Sequence, residues 1–141
     1  MTIDFATSFY FHREGPGVLM GMPAPGEQPG FKAETSDDFI PALLEVAERR
    51  APALARVGIK GSWSGFYELT PDHNALIGET SRIWRFLYAT GFSGHGFLQA
   101  PAVGEVVRDL VLEREPPVDV APLSVERFSR PDSLRPEFNV V

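Results

Sequence analysis

The sequence contains no cysteine. Disulfides, thiolate metal sites and cysteine nucleophiles are therefore excluded, although a chain without cysteine is compatible with any redox environment. Histidine is also sparse, because the chain has only three histidines and they are scattered along it. A metal site needs several ligands brought together, so we predict no bound metal.

Long apolar runs are missing as well. No stretch reaches the roughly 18 consecutive apolar residues that a membrane helix needs, and the N-terminus lacks a basic region followed by an apolar one. We therefore expect no membrane span and no secretory signal, and we predict a cytoplasmic protein with no membrane partner. The formal net charge is −6. A nucleic-acid partner is not expected, since it requires a basic face.

The chain does contain enough apolar material for a core, because 43% of its 141 residues are hydrophobic. This suits one domain or part of a larger one. Residues 7–23 hold two apolar runs around REGPG, which predicts a β-hairpin with a turn longer than two residues. Residues 36–50 predict a helix with Ser36 as N-cap, an acidic first turn and an end near Ala51, before Pro52. The apolar positions of this helix share one face: Ile40, Leu43, Leu44 and Ala47.

The middle of the chain predicts strands. Residues 57–70 are typical of one long strand interrupted by glycines, which mark a bulge or the close approach of a ligand. After a turn at TPDHN, two short strands are predicted at 75–79 and 83–90. A helix follows with Pro101 in its first turn, and a proline-rich tail from Pro116 is expected to run extended. The helix should bury Val103, Val106, Val107, Leu110 and Val111, with Glu105, Arg108 and Asp109 facing away.

Glycines are concentrated just before this helix, in ATGFSGHGFLQAPAVG at 89–104. Strand, glycine turn and helix in this order could bind a nucleotide phosphate, but G-x-x-G-x-G is the reverse of the G-x-G-x-x-G fingerprint. The acids about twenty residues further on, Glu113 and Glu115, end a helix instead of a second parallel strand. The residues themselves favour a backbone that approaches a planar ligand, with N–H groups at a helix N-terminus that attract negative charge.

Two segments, YELTPDHNALIGE (67–79) and FLYATGFSGHGFLQAPAVGEVVRDLV (86–111), resemble the C-terminal part of the FAD-dependent amine and amino-acid oxidoreductases. This is the family of D-amino-acid oxidase, glycine oxidase and sarcosine oxidase, and the motifs look most like those of sarcosine oxidase β subunits and dimethylglycine dehydrogenases. The resemblance covers most of this chain but only the last third or so of a family member. The N-terminal dinucleotide fingerprint of the family is absent.

The resemblance implies an α+β fold. It would contain a mixed or antiparallel sheet of the substrate domain with one or two packed helices, plus the C-terminal strand and helix of an FAD-binding domain whose N-terminal Rossmann part is absent. Residues 1–70 would belong to the substrate domain and 71–115 to the FAD domain, with 116–141 as an extended tail.

The resemblance also implies a site. The flavin-side residues would be Thr90, Gly91, Phe92, Ser93, Gly94, His95, Gly96, Phe97 and Leu98. FAD would be non-covalent, because SWSGFYE (62–68), near where some members attach flavin, has no cysteine. Tyr67 and Tyr10 are candidates for substrate contact, or else ordinary strand residues. Asp72 and His73 form either an acid–base pair or merely a turn, and no residue is assigned as catalytic.

The implied reaction is oxidation of the C–N bond of a small amine or amino acid, as an oxidase or a dehydrogenase. Two alternatives stay open: a stand-alone, catalytically inactive interaction module, and a split subunit that needs a partner chain carrying the FAD fingerprint. If the last strand and helix pack against a nucleotide domain that this chain lacks, their apolar face is left without cover. We therefore expect the isolated chain to be a homo-oligomer or prone to aggregation unless its partner is supplied, and to bind FAD weakly or not at all.

Overall fold

The computed structural model describes residues 1–24, 26–31, 38–130, 132 and 134–138. The chain forms two compact units, Met1–Phe66 and a second unit that begins at Tyr67. Two antiparallel sheets and two α-helices make up the regular structure of the described residues, so the fold is α+β, as predicted. The assignment of chain segments to a substrate domain, an FAD domain and a tail stays a prediction.

The first unit begins with an antiparallel sheet of three strands in the order β1 (Thr2–Asp4), β2 (Phe9–Glu14) and β3 (Gly17–Gly21). Strands β2 and β3 form the predicted hairpin, but Glu14 pairs with Gly17, so the turn has two residues and is not the longer one expected. Gly15 has a φ of +54°, and the ring of Pro16 fixes a negative φ. This combination is that of a type II′ turn, whose twist matches that of the strands.

Helix α1 (Phe39–Arg50) builds the core of the first unit together with this sheet. Its residues Leu43, Val46 and Ala47 are buried with Phe9 of β2. Leu43 and Ala47 belong to the predicted apolar face. Leu44 is only partly buried, so the buried face is rotated toward Val46.

The ends of α1 follow local chemistry. The helix ends just before Pro52, as predicted, and the N–H of Ala51 donates to the carbonyl of Ala47 at 2.7 Å. Asp38 occupies the N-cap position. Ser36, which the sequence favours as N-cap, lies outside the described residues.

The prediction of a long strand at 57–70 is wrong. None of these residues has strand structure. Three glycines of the segment, Gly58, Gly61 and Gly65, have no heavy atom within 4 Å of the position that a Cβ would take. A strand needs a neighbouring strand for its backbone hydrogen bonds, and glycine gains little from strand geometry. Trp63, which could have been a core residue, is 73% exposed.

The second unit contains a sheet of two antiparallel strands, β4 (Leu76–Glu79) and β5 (Leu87–Thr90). Strand β4 lies within the predicted strand 75–79. Strand β5 is shorter than predicted, because residues 83–86 belong to the connection. There the N–H of Arg85 donates to the Glu79 carboxylate at 2.7 Å, and Trp84 is 87% exposed.

Helix α2 (Gly96–Val111) packs on β4. Val106 is buried in one cluster with Ala75 and Ile77. Val103 and Leu110 pack against the same cluster, which confirms most of the predicted apolar face.

Two residues at the C-terminal end of α2 differ from the prediction. Asp109 was expected in solvent but is 6% exposed, and its carboxylate accepts two hydrogen bonds from Arg108 at 2.7 and 2.9 Å. Val111 was expected in the core but is 50% exposed. The packed apolar face therefore ends at Leu110, one residue before the predicted Val111.

Pro101 also stands elsewhere than predicted. The helix begins at Gly96, so Pro101 is the sixth helical residue and lies inside the helix instead of in its first turn. Because proline has no N–H, Pro101 cannot donate the usual helical hydrogen bond to the carbonyl of Phe97.

The tail was expected to run extended, but parts of it do not. It forms two 3₁₀ turns, Ala121–Leu123 and Val125–Ser129. Val120 and Leu123 pack against the core cluster of the second unit.

Glu113 follows α2 in a backbone conformation that favours glycine, with a φ of +55°. The N–H of Arg114 donates to the Asp109 carbonyl at 2.8 Å and that of Glu113 to the Leu110 carbonyl at 3.3 Å, which is a Schellman motif.

We expect Glu113→Gly to raise the free energy of unfolding by about 1 kcal/mol, because a left-handed conformation strains residues with a Cβ. Urea denaturation measures this change. Glu115→Gly is the control without positive φ, and a loss of stability in Glu113→Gly would contradict the expectation.

Candidate functional site

The glycine segment forms a tight loop between β5 and α2. We call residues 90–98 the glycine loop; they run from the last residue of β5 through the first three residues of α2 and are the predicted flavin-side residues. Gly91, Ser93 and Gly94 have positive φ values of 68°, 52° and 93°. The N–H of His95 donates to the carbonyl of Phe92 at 2.9 Å, which closes a four-residue turn around Ser93 and Gly94.

Glu68 holds this loop from outside it. Its carboxylate oxygen Oε2 accepts hydrogen bonds from the N–H of Gly91 at 3.3 Å and from the hydroxyl of Thr90 at 3.5 Å. Its backbone carbonyl accepts a hydrogen bond from the N–H of Ser93 at 3.4 Å. The N–H groups of Gly91 and Ser93 are therefore used inside the chain.

Thr70 packs against the loop at Gly91. A Cβ on Gly91 would collide with the methyl group Cγ2 of Thr70, so only glycine fits there. The hydroxyl of Thr70 donates to the carbonyl of Asn74 at 2.8 Å, and its oxygen also lies 3.2 Å from Oδ1 of Asp72. Thr70 is 7% exposed, and these bonds fix its side chain.

The first turn of α2 offers donors to a ligand. The first helical hydrogen bond runs from the N–H of Gln99 to the carbonyl of His95 at 3.2 Å. The N–H groups of residues 96–98 lie before Gln99 and therefore have no acceptor within the helix. His95 is the N-cap residue, and its side chain makes no capping hydrogen bond. These donors and the helix dipole stabilise negative charge placed at this end.

Apolar side chains surround the same donors. Phe97 is 93% exposed and Leu98 is 71% exposed. The loop thus offers backbone donors, bare backbone at Gly94 and apolar surface side by side. These features fit the isoalloxazine of FAD, a flat and partly apolar ring that becomes more negative on reduction.

Asp72 has a structural role instead of the acid–base role considered above. It forms a two-pronged ion pair with Arg127, with Nε to Oδ2 at 2.7 Å and Nη2 to Oδ1 at 2.8 Å. Its side chain is 2% exposed and that of Arg127 is 5% exposed. The hydrogen bonds from Arg127 hold the pKa of Asp72 below its ordinary value, against the opposing effect of burial.

His73 is likewise engaged by the tail. Its Nδ1 lies 3.0 Å from the carbonyl oxygen of Glu137, and the N–H of Glu137 donates to the carbonyl of Asp72 at 3.0 Å. The side-chain amide of Asn74 donates to the carbonyl of Arg135 at 2.7 Å. The turn at 72–74 therefore binds the tail, which sequence spacing alone did not indicate.

Acid is expected to destabilise the second unit through Asp72. The pKa of Asp72 in the folded chain lies below the model-peptide value of 3.8, which applies to the unfolded chain. At a pH between these two values, the unfolded chain therefore binds more protons than the folded chain. The stabilisation is present above about pH 4 and is lost as the pH falls through the folded pKa. An NMR titration of the Asp72 carboxyl carbon measures this pKa, and a midpoint at or above 3.8 would overturn the expectation.

The two candidate substrate tyrosines lie in different units. Tyr67 is 40% exposed and directly precedes Glu68, with its carbonyl accepting the N–H of Leu69 at 3.1 Å. Tyr10 lies on β2 opposite Gly21, and its ring covers that glycine so closely that a Cβ there would stand 2.7 Å from the phenol oxygen. The substrate roles of both tyrosines stay predictions.

Sequence reasoning missed Glu68, Thr70 and Arg127. The TPD motif marks the neighbourhood of the first two, but no spacing rule connects them with a loop more than twenty residues away. Across the described ranges, no three acids or histidines are grouped as a metal site would need. Within the same ranges, no helix has the length and apolarity to cross a membrane.

Comparisons with known proteins show the family of the chain. The family model "FAD dependent oxidoreductase" (DAO) matches residues 1–110. FAD-dependent oxidoreductase domain-containing protein 1 of Bos taurus is 35% identical over 126 residues, which are 84% of this chain and 26% of that protein. The 4-methylaminobutanoate oxidase (formaldehyde-forming) of Paenarthrobacter nicotinovorans is 32% identical over 138 residues, covering 89% of this chain and 16% of that protein.

A solved structure is similar as well. L-proline dehydrogenase from P. horikoshii superposes with a TM-score of 0.81 and 30% identity, over 89% of this chain and 33% of that one. This chain belongs to the DAO family of FAD-dependent oxidoreductases, as its motifs predicted. It spans only a third or less of the length of these relatives.

Proposed function

We propose that this chain is the flavin-facing C-terminal part of an FAD-dependent oxidoreductase that oxidises the C–N bond of a small amine or amino acid. The observation that carries the proposal is the start of α2, where the N–H groups of residues 96–98 lie beside the exposed side chains of Phe97 and Leu98. Bound FAD would supply the two-electron acceptor. No cysteine of this chain attaches it covalently, since the chain has none.

The role of this chain's residues is electrostatic and positional. The N–H groups and the dipole of α2 stabilise negative charge at the helix N-terminus without reorganising. Glu68 and Thr70 keep the loop in its strained conformation, and the absence of a side chain at the exposed Gly94 leaves the backbone there accessible.

The ADP half of FAD needs a partner. The chain lacks the G-x-G-x-x-G fingerprint, so we propose that the nucleotide-binding portion is either another part of the same polypeptide or a separate subunit. We call this chain together with that portion the assembled enzyme. Isolated, the chain binds FAD weakly or not at all.

The names of two relatives indicate a substrate class to test. L-proline and 4-methylaminobutanoate are both secondary amines that carry a carboxylate. Small secondary amino acids are therefore the first substrates to test, with N-methylglycine, N,N-dimethylglycine and D-amino acids beside them.

The decisive experiment measures flavin absorbance and turnover of the assembled enzyme with this panel. Oxygen consumption is compared with reduction of an artificial dye, which separates an oxidase from a dehydrogenase. Yellow protein that oxidises one or more amines supports the proposal. Colourless protein without turnover would contradict it and favour an inactive interaction module.

Tyr67→Phe tests the substrate side of the proposal. Because the phenol hydroxyl is lost and the ring is kept, we expect kcat/KM to fall about tenfold, the equivalent of one hydrogen bond of roughly 1.4 kcal/mol, while flavin content stays normal. Tyr88→Phe is the control, since its hydroxyl accepts the N–H of Val125 at 3.0 Å and is used in packing. Equal kinetics for wild type and Tyr67→Phe across the panel would make Tyr67 a packing residue.

A further inference from the structure

Glu68 lies at a bend that directs two of its groups toward the glycine loop. The N–H of Leu69 donates to the carbonyl of Tyr67 at 3.1 Å, so Glu68 is the central residue of a three-residue turn. From this one position the carboxylate reaches the entry of the loop at Gly91 and the main-chain carbonyl reaches Ser93.

The contacts fall where the loop is under strain. Ser93 has a φ of +52° although it carries a Cβ, and such a conformation persists only when the surroundings hold it. Ser93 is 1% exposed. Its N–H donates to the Glu68 carbonyl, and its hydroxyl donates to the Gly91 carbonyl at 3.3 Å. Glu68 therefore fixes both ends of the strained stretch.

The stretch that Glu68 fixes leads directly into α2. The N–H of His95 closes the turn on Phe92, and the helix begins at the next residue, Gly96. Only this short turn separates the residues that Glu68 fixes, Gly91 and Ser93, from the N–H groups of residues 96–98.

We propose that Glu68 is a positioning residue of the flavin site, acting through Thr90, Gly91 and Ser93 to aim the first turn of α2 at the cofactor. This inference rests on the proposed function. The side chain of Glu68 controls the entry of the loop, whereas its main chain controls the turn.

Amide hydrogen exchange of the full chain without flavin tests the first half. In Glu68→Ala we expect the Gly91 amide to exchange at least about tenfold faster, because it loses a charge-assisted hydrogen bond. The Ser93 amide should change less, since its acceptor is the retained main-chain carbonyl. Glu68→Gln keeps an acceptor of the same length and should stay within about threefold of wild type.

Glu79→Ala is the matched control. Its carboxylate also accepts a backbone N–H, that of Arg85 at 2.7 Å, but it lies on the Leu87 end of the β4–β5 pair, whereas Thr90 lies on the other end. Exchange at Gly91 should be unchanged in this variant. Should Glu68→Ala fail to fold, Glu68→Asp replaces it, because a side chain shorter by one methylene no longer reaches Gly91.

Flavin affinity of the assembled enzyme tests the second half. We expect the dissociation constant of FAD to rise about tenfold in Glu68→Ala and to be restored in Glu68→Gln. Unchanged exchange at Gly91, or unchanged affinity in Glu68→Ala, would overturn the inference. If wild-type enzyme binds no FAD while Glu68→Ala accelerates exchange, the proposed function and the role in aiming at a cofactor both fail, and only the hold on the loop stands.

Discussion

Replacing Arg127 by methionine is expected to lower the free energy of unfolding by about 3–5 kcal/mol. The side chains of Asp72 and Arg127 are 2% and 5% exposed, so the substitution leaves a buried carboxylate without its cation. Arg127 also donates to the carbonyls of Leu123 and Asn74, at 2.9 Å each. Both carbonyls lose this hydrogen bond, although that of Asn74 keeps the one from the Thr70 hydroxyl. Urea denaturation followed by circular dichroism measures the loss.

Two further variants make this prediction specific. Arg82→Met removes an exposed arginine of the same unit and should change stability by less than about 0.5 kcal/mol. Adding Asp72→Asn to Arg127→Met removes the uncompensated charge, so the double variant should be more stable than Arg127→Met alone. A double variant that is less stable would show that packing of the arginine, not its charge, carries the effect.

Gly91→Ala is expected to lower the free energy of unfolding by about 2–5 kcal/mol. The left-handed conformation, with a φ of +68°, costs an L-residue roughly 1–2 kcal/mol. The collision of the new Cβ with Cγ2 of Thr70 adds roughly 1–3 kcal/mol, as overpacking of a core does. In the assembled enzyme, the displaced loop should also bind FAD less tightly.

Thr70→Ser separates these two costs. Serine lacks Cγ2 but keeps the hydroxyl that donates to the carbonyl of Asn74. Gly91→Ala in the Thr70→Ser background should therefore lose only the cost of the backbone conformation. The prediction is wrong if the loss caused by Gly91→Ala is as large in that background as in wild type.

Elements that depend on neighbours in sequence were predictable. Hairpin β2–β3, helix α1 with its end before Pro52, strand β4 and most of the buried face of α2 follow from short-range periodicity and turn chemistry. The family followed from motif order, because T-P-D and G-F-S-G-H-G-F occur in one chain at typical spacing.

Elements that need a distant partner were predicted less well. Residues 57–70 have strand-like composition but no pairing strand, and residues 83–86 became a connection held by Arg85 instead of part of β5. Composition records the preference of a segment, whereas the strand forms only where backbone groups find partners.

The candidate site likewise has features that the sequence determined and features that only the tertiary structure decided. The sequence alone determined that the chain carries a glycine-rich turn before a helix, has no cysteine and belongs to a flavin-dependent family, since these depend on residue identity and order. Only the tertiary structure decided that Glu68 holds Gly91 and Ser93, and that Asp72 pairs with Arg127 fifty-five residues away. Such contacts depend on how the chain returns on itself, because a hydrogen bond or an ion pair is set by distance in space and leaves no periodic trace in the sequence.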